Sequence, residues 1–190
     1  MILDAARRLV EEKGDAFTTQ ELVREAGVAL QTFYRYFATK DELLLVVLGD
    51  LVAAGCARLG EAARELPDPI TRLRFYITSA LDSLDGTDDG VRDDPSTARF
   101  IVSAHWQLQR IFPDQMADAM KPFADLLRTE IDAAVDAGLL HPTNPERAAW
   151  FINELVRSVY HHYAYASERS PEVREDLWQF CLTALGGTDV

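Results

Sequence analysis

A segment near the amino terminus contains side chains that are suited to contact DNA. Gln31 and Thr32 can form hydrogen bonds with base edges, and Leu30 can touch a thymine methyl group. Tyr34 and Tyr36 can form hydrogen bonds with phosphates, which would fix the position of a helix on the duplex without reading its sequence. The candidate DNA-contacting residues are Thr19, Leu30, Gln31, Thr32, Tyr34, Arg35, Tyr36 and Lys40, with Lys40 expected at a phosphate.

The same segment has a second interpretation, as an aromatic-rich helix of a protein core. Phe33 and Phe37 are four residues apart, so they lie on one face of a helix, as core residues do. Tyr34 and Arg35 do not share that face. Core packing therefore explains only half of the segment.

The flanking residues predict the helices that must position these side chains. Apolar residues at helical spacing predict a first helix over residues 2–13, which Gly14 ends. Thr18 and Glu21 have the spacing of a capping box, which opens a short second helix that ends at Gly27. A short helix, a tight glycine turn and a further helix are the parts of a helix-turn-helix.

A long helix is expected to follow this head. Thr39 and Glu42 form another capping-box spacing, and the apolar stripe after them continues to about Glu65. This helix would connect the head, residues 1–37, to the rest of the chain.

The segment TTQELVREAGVALQTFYRYFATKDELL resembles the amino-terminal DNA-binding domain of the TetR family of bacterial transcriptional regulators. The resemblance covers about residues 2–48 and includes ILDAARRLV in the first helix and the turn at Ala26, Gly27 and Val28. It implies a helix-turn-helix domain over residues 1–48. It also implies a carboxy-terminal helical domain over residues 49–190 that binds a small effector and dimerises through its last two long helices.

One residue departs from the family pattern at the start of the recognition helix. The family usually has a serine there that caps the helix, and this sequence has Ala29. Loss of that cap should cost about 1 kcal/mol.

Composition and charge limit the classes of function. The net charge is −12, which excludes a protein that coats nucleic acid indiscriminately. Residues 1–48 hold six Lys or Arg and eight Asp or Glu, a net of −2, so most of the acidic excess lies beyond them. No apolar run has the roughly 18 residues of a spanning helix, so we expect a soluble, cytoplasmic protein with no membrane partner. Cys56 and Cys181 have no CxxC partner and are expected to be small core residues.

The remainder of the chain predicts an all-α fold of about nine helices. Proline and glycine breaks separate helical patterns near residues 69–84, 96–111, 114–138, 145–168 and 171–186. Pro122 lies inside the third of these segments and predicts a break or kink just before it.

A bundle cavity that binds an effector should be mostly apolar with a few polar groups. The candidates, taken from the helices expected around it, are Tyr76, Phe100, His105, Trp106, Gln109, Met120, Phe123, Asn153 and Tyr160. Each could instead be plain core, and His105 could be a satisfied core histidine. The aromatic content favours a hydrophobic or aromatic compound.

The last two helices carry more apolar surface than one bundle face requires. Phe151 falls on the core stripe of the first of them and Phe180 on one side of the second, which leaves other residues for a twofold partner. The expected dimer residues are Trp150, Arg157, His161, Ala164, Trp178, Leu182 and Leu185. The alternative is that Trp150 lies under a loop and the others are solvated.

Metal, cofactor and enzyme interpretations lack their residues. The aspartate-rich loop 82–94 fails the spacing of an EF-hand, and a solvated acidic loop is the better interpretation. His161 and His162 are adjacent on a helix and point about 100° apart, so they are poorly placed to chelate together. No zincin, di-iron, nucleophile-elbow or phosphate-loop motif occurs, and we expect no cofactor and no catalytic residue.

These expectations combine into one hypothesis and one rival. The first is a homodimeric regulator, a repressor that releases palindromic double-stranded operator DNA when it binds its effector. The rival is a helical small-molecule carrier or interaction module whose head does not bind DNA. Ala29, the net charge of the head and a sequence that begins at the first helix, without the basic arm common in the family, favour this rival.

Overall fold

The computed structural model describes residues 1–82, 84, 95–166 and 170–187, and these form nine α-helices and no strand. The all-α prediction is therefore confirmed for this part of the chain. The helices are α1 Ile2–Lys13, α2 Thr19–Glu25, α3 Leu30–Tyr36, α4 Lys40–Ala62, α5 Pro69–Asp82, α6 Pro95–Ile111, α7 Pro113–Asp136, α8 Pro145–Tyr165 and α9 Val173–Ala184. A short 3-10 turn, Ala63–Glu65, follows α4.

Helix α1 has its predicted bounds, and α2 begins directly after Thr18 and ends two residues before Gly27. Gly14 and Gly27 adopt φ values of 62° and 64°, a region that favours glycine. The side chain of Thr18 accepts a hydrogen bond from the amide of Glu21, whose carboxylate accepts one from the amide of Thr18, so the capping box forms. Ala29 stands at the N-cap of α3 without a side-chain cap, as its residue type requires.

Helix α4 links the head to the bundle. Thr39 caps α4, and the first three turns of the helix bury Leu43, Leu44, Val47 and Leu48 in the core of the head. Farther along, Leu59 joins the bundle core, and α7 packs along much of the helix. By length and composition the stretch Lys40–Glu65 could cross a membrane, but a core helix meets the same criterion.

The carboxy-terminal helices form a bundle in which α7 packs against α4, α5 and α8, and α9 packs against α5 and α8. Helix α7 is continuous through Pro122, so of the predicted break or kink the break is wrong, and the kink stays a prediction. The predicted helices near residues 69–84, 145–168 and 171–186 are observed with ends shifted by up to three residues.

The head core includes residues from beyond the head. Phe100, Ala104 and Leu108 of α6 are buried in it together with Met116 of α7. Helix α6 therefore packs directly against α1 and α4. The division at residue 48 remains a prediction about function rather than a boundary between two cores.

Candidate functional site

Helix α3 is anchored by one apolar face and presents its other side chains to solvent. Phe33 is fully buried, and its ring stacks on that of Phe37 at 5.8 Å. Leu30, Tyr34 and Tyr36 are 40%, 55% and 64% exposed. Both interpretations of this segment therefore hold, each for one face of the helix. The phenylalanines pack in the core, and the side chains on the other face are accessible to DNA.

The other predicted contact residues of α3 are also at the surface. Gln31 and Arg35 are exposed, and Thr32 is half-buried. The guanidinium of Arg35 lies 4.9 Å from the ring centre of Tyr36. Thr19 is half-buried in the first turn of α2. The exposed face of α3 thus combines amide, hydroxyl, aromatic and guanidinium groups.

Lys40 has a different environment from the one expected. Its ammonium donates hydrogen bonds to the backbone carbonyls of Asp15 and Phe17, the second at 2.6 Å, and lies 4.5 Å from the centre of the Phe17 ring. Burial lowers the pKa of its side chain. The ammonium thus holds the loop between α1 and α2 against the start of α4, and the phosphate contact of Lys40 stays a prediction.

Ion pairs neutralise three of the other cations in the head. Arg7 lies 2.6 Å from Asp50, and Arg8 lies 2.9 Å from Glu25. Lys13 lies 2.9 Å from Glu21, a residue whose pKa is lowered to about 2 by hydrogen bonds from the Thr18 backbone, from Lys13 and from the Thr18 side chain. Positive charge on the recognition helix itself comes from Arg35.

Two adjoining cavities lie beside α6, α7 and α8. Both are partly open to solvent. The larger, of about 670 Å³, is termed the outer cavity, and the smaller, of about 160 Å³, which reaches α4, is termed the inner cavity. Four residues line both cavities and mark where they meet: Met120, Asn153, Arg157 and His161. Seven of the nine predicted ligand residues line one or both: His105, Trp106, Gln109, Met120, Phe123, Asn153 and Tyr160.

Tyr76 and Phe100 lie away from the cavities, and their assignment as ligand contacts is corrected. Phe100 is 1% exposed in the head core, because residues 100, 104 and 108 form the stripe of α6 that faces the head. Tyr76 is 3% exposed in the bundle core, where burial and the charge of Glu130 raise its pKa.

A pair of histidines forms the polar part of the cavity wall. The rings of His105 and His161 are 5.1 Å apart, and each lies within 6 Å of the Trp106 ring. His105 is 5% exposed, and its Nδ1 is buried without a hydrogen-bond partner. Burial, then the charge of Arg157, lowers the pKa of His105 to about 4. The pKa of His161 is lowered to about 4 by burial, then by His105 and Arg157.

Most of the residues expected at a dimer interface are buried within their own chain. Four of them are buried in the bundle of their own chain, at 4% exposure or less: Ala164, Trp178, Leu182 and Leu185. Arg157 and His161 line the cavities, and Trp150 stands at the rim of the outer one. The four buried assignments are therefore corrected, whereas those of Trp150, which is 55% exposed, of Arg157 and of His161 stay predictions.

An error in helical phase explains the correction. The buried stripe of α9 is Leu177, Trp178, Cys181, Leu182 and Leu185, which turns Phe180 outward. Phe180 is 65% exposed, and Phe151 of α8 is 57% exposed. Both line an open groove of about 570 Å³ between α8 and α9, together with Leu155 and Ala184. The spacing in the sequence had placed Phe151 on the core stripe of α8 and had not indicated Phe180 as an interface residue.

Among the residues that the structure describes, no group of three His, Cys, Asp or Glu side chains could hold a metal ion. His162 is exposed and its ring contacts Tyr163, whereas His161 faces the cavities. The acidic loop lies almost entirely outside the described residues, which include only Asp82 and Leu84 of it.

Known proteins resemble this chain both in the sequence of its head and in its fold. Residues 2–47 match the sequence signature of bacterial regulatory proteins of the tetR family. A bacterial regulatory protein of the tetR family from Rhodococcus RHA1 superimposes with a TM-score of 0.68 at 22% identity, covering 99% of this chain and 96% of that one. FadR from Bacillus subtilis, solved with stearoyl-CoA, gives a TM-score of 0.74 at 16% identity, covering 96% and 97%.

RolR, solved in complex with resorcinol, gives a TM-score of 0.70 at 19% identity, covering 98% of this chain and 86% of that one. The resemblance of residues 2–48 to the TetR family is thus confirmed. The likeness extends, as a fold, over the whole chain.

Proposed function

Because the chain carries the amino-terminal domain of the TetR family of bacterial regulatory proteins on the fold of that family, we propose that it is a ligand-responsive, DNA-binding transcriptional regulator of the cytoplasm. We further propose that it is a repressor whose operator is palindromic double-stranded DNA, which it leaves when an effector binds. Residues 1–48 would contact the DNA, and residues 49–190 would bind the effector and the second subunit. The observation that carries this proposal is the exposed polar and aromatic face of α3, anchored by Phe33.

The cavities are placed where a bound molecule could act on the head. Helix α6 presents His105, Trp106 and Gln109 to the outer cavity, while Phe100 and Leu108 pack in the head core. A displacement of α6 by a ligand would therefore press directly on the core that supports α3.

Helix α4 provides a second connection. Its residues Leu51, Val52 and Cys56 line the inner cavity, and its first residue, Lys40, holds the loop before α2. A movement of α4 would thus displace both this loop and the head core, to which α4 contributes residues.

The groove between α8 and α9 is the surface that we propose for dimerisation. Phe151 and Phe180 place two large, exposed aromatic rings there, and such apolar patches are typical of interfaces. A twofold axis through this groove would let each α8–α9 pair cover that of its partner. Two heads would then engage half-sites about 34–36 Å apart on one face of the DNA.

The comparison proteins support a small-molecule effector. RolR was solved with resorcinol and FadR with stearoyl-CoA, so this fold accommodates aromatic and acyl ligands. An aromatic or hydrophobic effector is therefore compatible with the fold as well as with the cavity lining.

The test is fluorescence anisotropy of the purified protein with the DNA fragment upstream of its own gene, measured at several salt concentrations. We expect salt-dependent binding that Gln31→Ala and Thr32→Ala alter in base preference, whereas Tyr34→Phe weakens it equally on all sequences. Glu11→Ala, an exposed change on α1, serves as the control. Absence of binding at low salt would overturn the proposal and favour the small-molecule carrier.

A further inference from the structure

The outer cavity contains one buried polar atom that lacks a partner. Nδ1 of His105 makes no hydrogen bond within the described structure, although the residue is only 5% exposed. A buried polar atom without a partner costs roughly 1–3 kcal/mol, so a ligand group that pairs with it recovers this energy. His105 lines the cavity, so a turn of its ring toward the cavity would let a group of the occupant pair with this atom.

The charges around the cavity are already balanced. The residues that line it include three charged side chains, Lys121, Glu154 and Arg157. Arg157 forms an ion pair with Glu154, and Lys121 lies 2.5 Å from Asp125. A carboxylate or ammonium ligand would have to compete with one of these partly exposed pairs or remain without a counterion, and an unpaired charge is costly where the cavity shields it from water. The lining therefore favours an uncharged occupant.

Aromatic and apolar groups form the rest of the wall. Trp106 and His161 present edge-to-face rings, and Met116 and Met120 add polarisable thioethers on the side of α7. Beyond them the smaller inner cavity is lined mostly by apolar residues, which include Phe123 and Val156. A planar ring suits the outer wall, and a short hydrocarbon suits the inner space.

We propose that the effector is an uncharged phenol-type compound whose hydroxyl pairs with Nδ1 of His105 and whose hydrocarbon substituent enters the inner cavity. The inference rests on the proposed function only in naming this molecule the effector, since binding itself can be measured without DNA. A hydroxyl can pair with Nδ1 in either tautomer of a neutral imidazole, because it both donates and accepts a hydrogen bond.

The electrostatics of the histidine pair agree with this choice. The pKa values of His105 and His161 are both lowered to about 4, so the two rings are neutral near pH 7. Neutral rings offer no ionic attraction to a carboxylate. With both rings neutral, the site can select among ligands only by hydrogen bonding and by ring contacts.

The experiment compares four probes of matched shape by isothermal titration calorimetry at pH 7 with the full chain. The probes are 4-butylphenol, 4-butylbenzoate, 4-butylbenzylamine and butylbenzene, which differ in the group presented to His105. We expect 4-butylphenol to bind at least about tenfold more tightly than each of the others, which corresponds to about 1.4 kcal/mol. Equal or tighter binding of the benzoate or the amine, or no binding of the phenol, would overturn the inference.

His105→Phe tests the assigned atom, with His162→Phe as the matched control on the exposed side of α8. We expect His105→Phe to abolish the advantage of 4-butylphenol over butylbenzene while butylbenzene still binds, and His162→Phe to leave the ranking unchanged. An unchanged ranking in His105→Phe would overturn the inference. Should His105→Phe fail to fold, the ranking of the four probes by the wild-type protein decides by itself.

Release of DNA, measured by anisotropy with the same probes, separates this inference from the proposed function. If the phenol binds selectively but DNA binding is absent, the proposed function fails and the binding site stands. If the benzoate releases DNA and the phenol does not, the phenol inference fails and the regulator stands.

Discussion

Lys40 is the residue whose observed contacts differ most from those expected. It donates hydrogen bonds to the carbonyls of Asp15 and Phe17, so Lys40→Met should destabilise the head by about 1–3 kcal/mol. DNA affinity should fall because α3 loses its support, while the slope of log affinity against log salt concentration should stay the same. Urea unfolding and anisotropy titrations over a salt series measure the two quantities.

A different result would restore the role expected from the sequence. If Lys40 contacted a phosphate, its replacement would reduce the salt slope by about one and leave stability unchanged. Lys121→Met is a matched control, because Lys121 is exposed on α7 and does not belong to the head core. It should affect neither the stability of the head nor the salt slope.

The histidine pair predicts how stability depends on pH. The pKa of each ring is about 4 in the fold, against about 6.5 in an unfolded chain. Between these values the unfolded chain takes up protons that the folded chain does not, so stability is present above pH 6.5 and is lost as the pH falls toward 4. At pH 5.5 the loss should be about 1 kcal/mol for each ring, reduced where water enters the open cavity.

Urea unfolding at pH 7.5 and 5.5 measures this loss. The groups that face the pair are Arg157 and Glu154 on α8 and Lys121 on α7, and carboxylates in the unfolded chain titrate below this window. The double variant His105→Gln with His161→Gln should lose less stability over the window than the wild type. His162→Gln, at an exposed site, should behave as the wild type, and an identical loss in all three proteins would contradict the assignment.

The face of a helix on which a side chain lies could be predicted from the sequence where the spacing within that helix determines it. The split of α3 between Phe33 and Phe37 on one side and Tyr34 on the other follows from helical periodicity alone. The partners of Lys40 could not be predicted in this way. The carbonyls it binds come from a loop more than 20 residues earlier, and their proximity depends on how α4 packs on the head.

At the scale of helices, the exposed rings of α8 and α9 predict how the subunits associate. Phe180→Asp should place a charge in the proposed interface and weaken dimerisation by several kcal/mol, giving helical monomers. Phe151→Asp should act in the same way. Sedimentation or light scattering at micromolar concentration, with circular dichroism, measures the result.

Two further variants show whether the face is assigned correctly. Ile111→Asp changes a residue at the end of α6 that is 45% exposed, and it should leave a dimer intact. Trp178→Asp should unfold the bundle instead of producing monomers, because Trp178 is 1% exposed within its own chain. A folded monomer from Trp178→Asp, or a dimer from Phe180→Asp, would reverse the assignment.

Helix positions were predictable, but the face that each helix turns to its neighbours was not. Capping boxes and glycines determine where helices start and stop, and these are local signals. In α9 the apolar residues cover so much of the circumference that either Phe180 or Trp178 could point inward. Packing against α5 and α8 resolves the choice, and that packing is not visible in the spacing of one helix.

For the whole molecule, the shared core of α6 changes the expected route of signalling. From the sequence, α4 was the one stiff element expected to touch both the head and the cavity. The structure adds α6, since Leu108 lies in the head core while His105 and Gln109 line the cavity. The hydrogen bond of 2.7 Å from Gln107 to Asp41 joins the two helices close to the recognition helix. A ligand thus has two mechanical connections to the DNA-contacting surface, and neither depends on the other subunit.

These connections predict a reciprocal effect between effector and operator. An effector that shifts α4 or α6 rotates each head, and two heads cannot then engage half-sites about 34–36 Å apart at the same time. By linkage, the effector must bind the DNA-free protein more tightly than the DNA-bound protein, by the same factor as it weakens operator binding. Calorimetric affinities of 4-butylphenol with and without saturating operator DNA, set beside operator affinities with and without the phenol, test this equality.

A monomeric Phe180→Asp variant should bind the phenol normally yet show little coupling, because a single head gains nothing from half-site spacing. Equal phenol affinities with and without operator would exclude ligand-controlled release and leave a constitutive DNA binder.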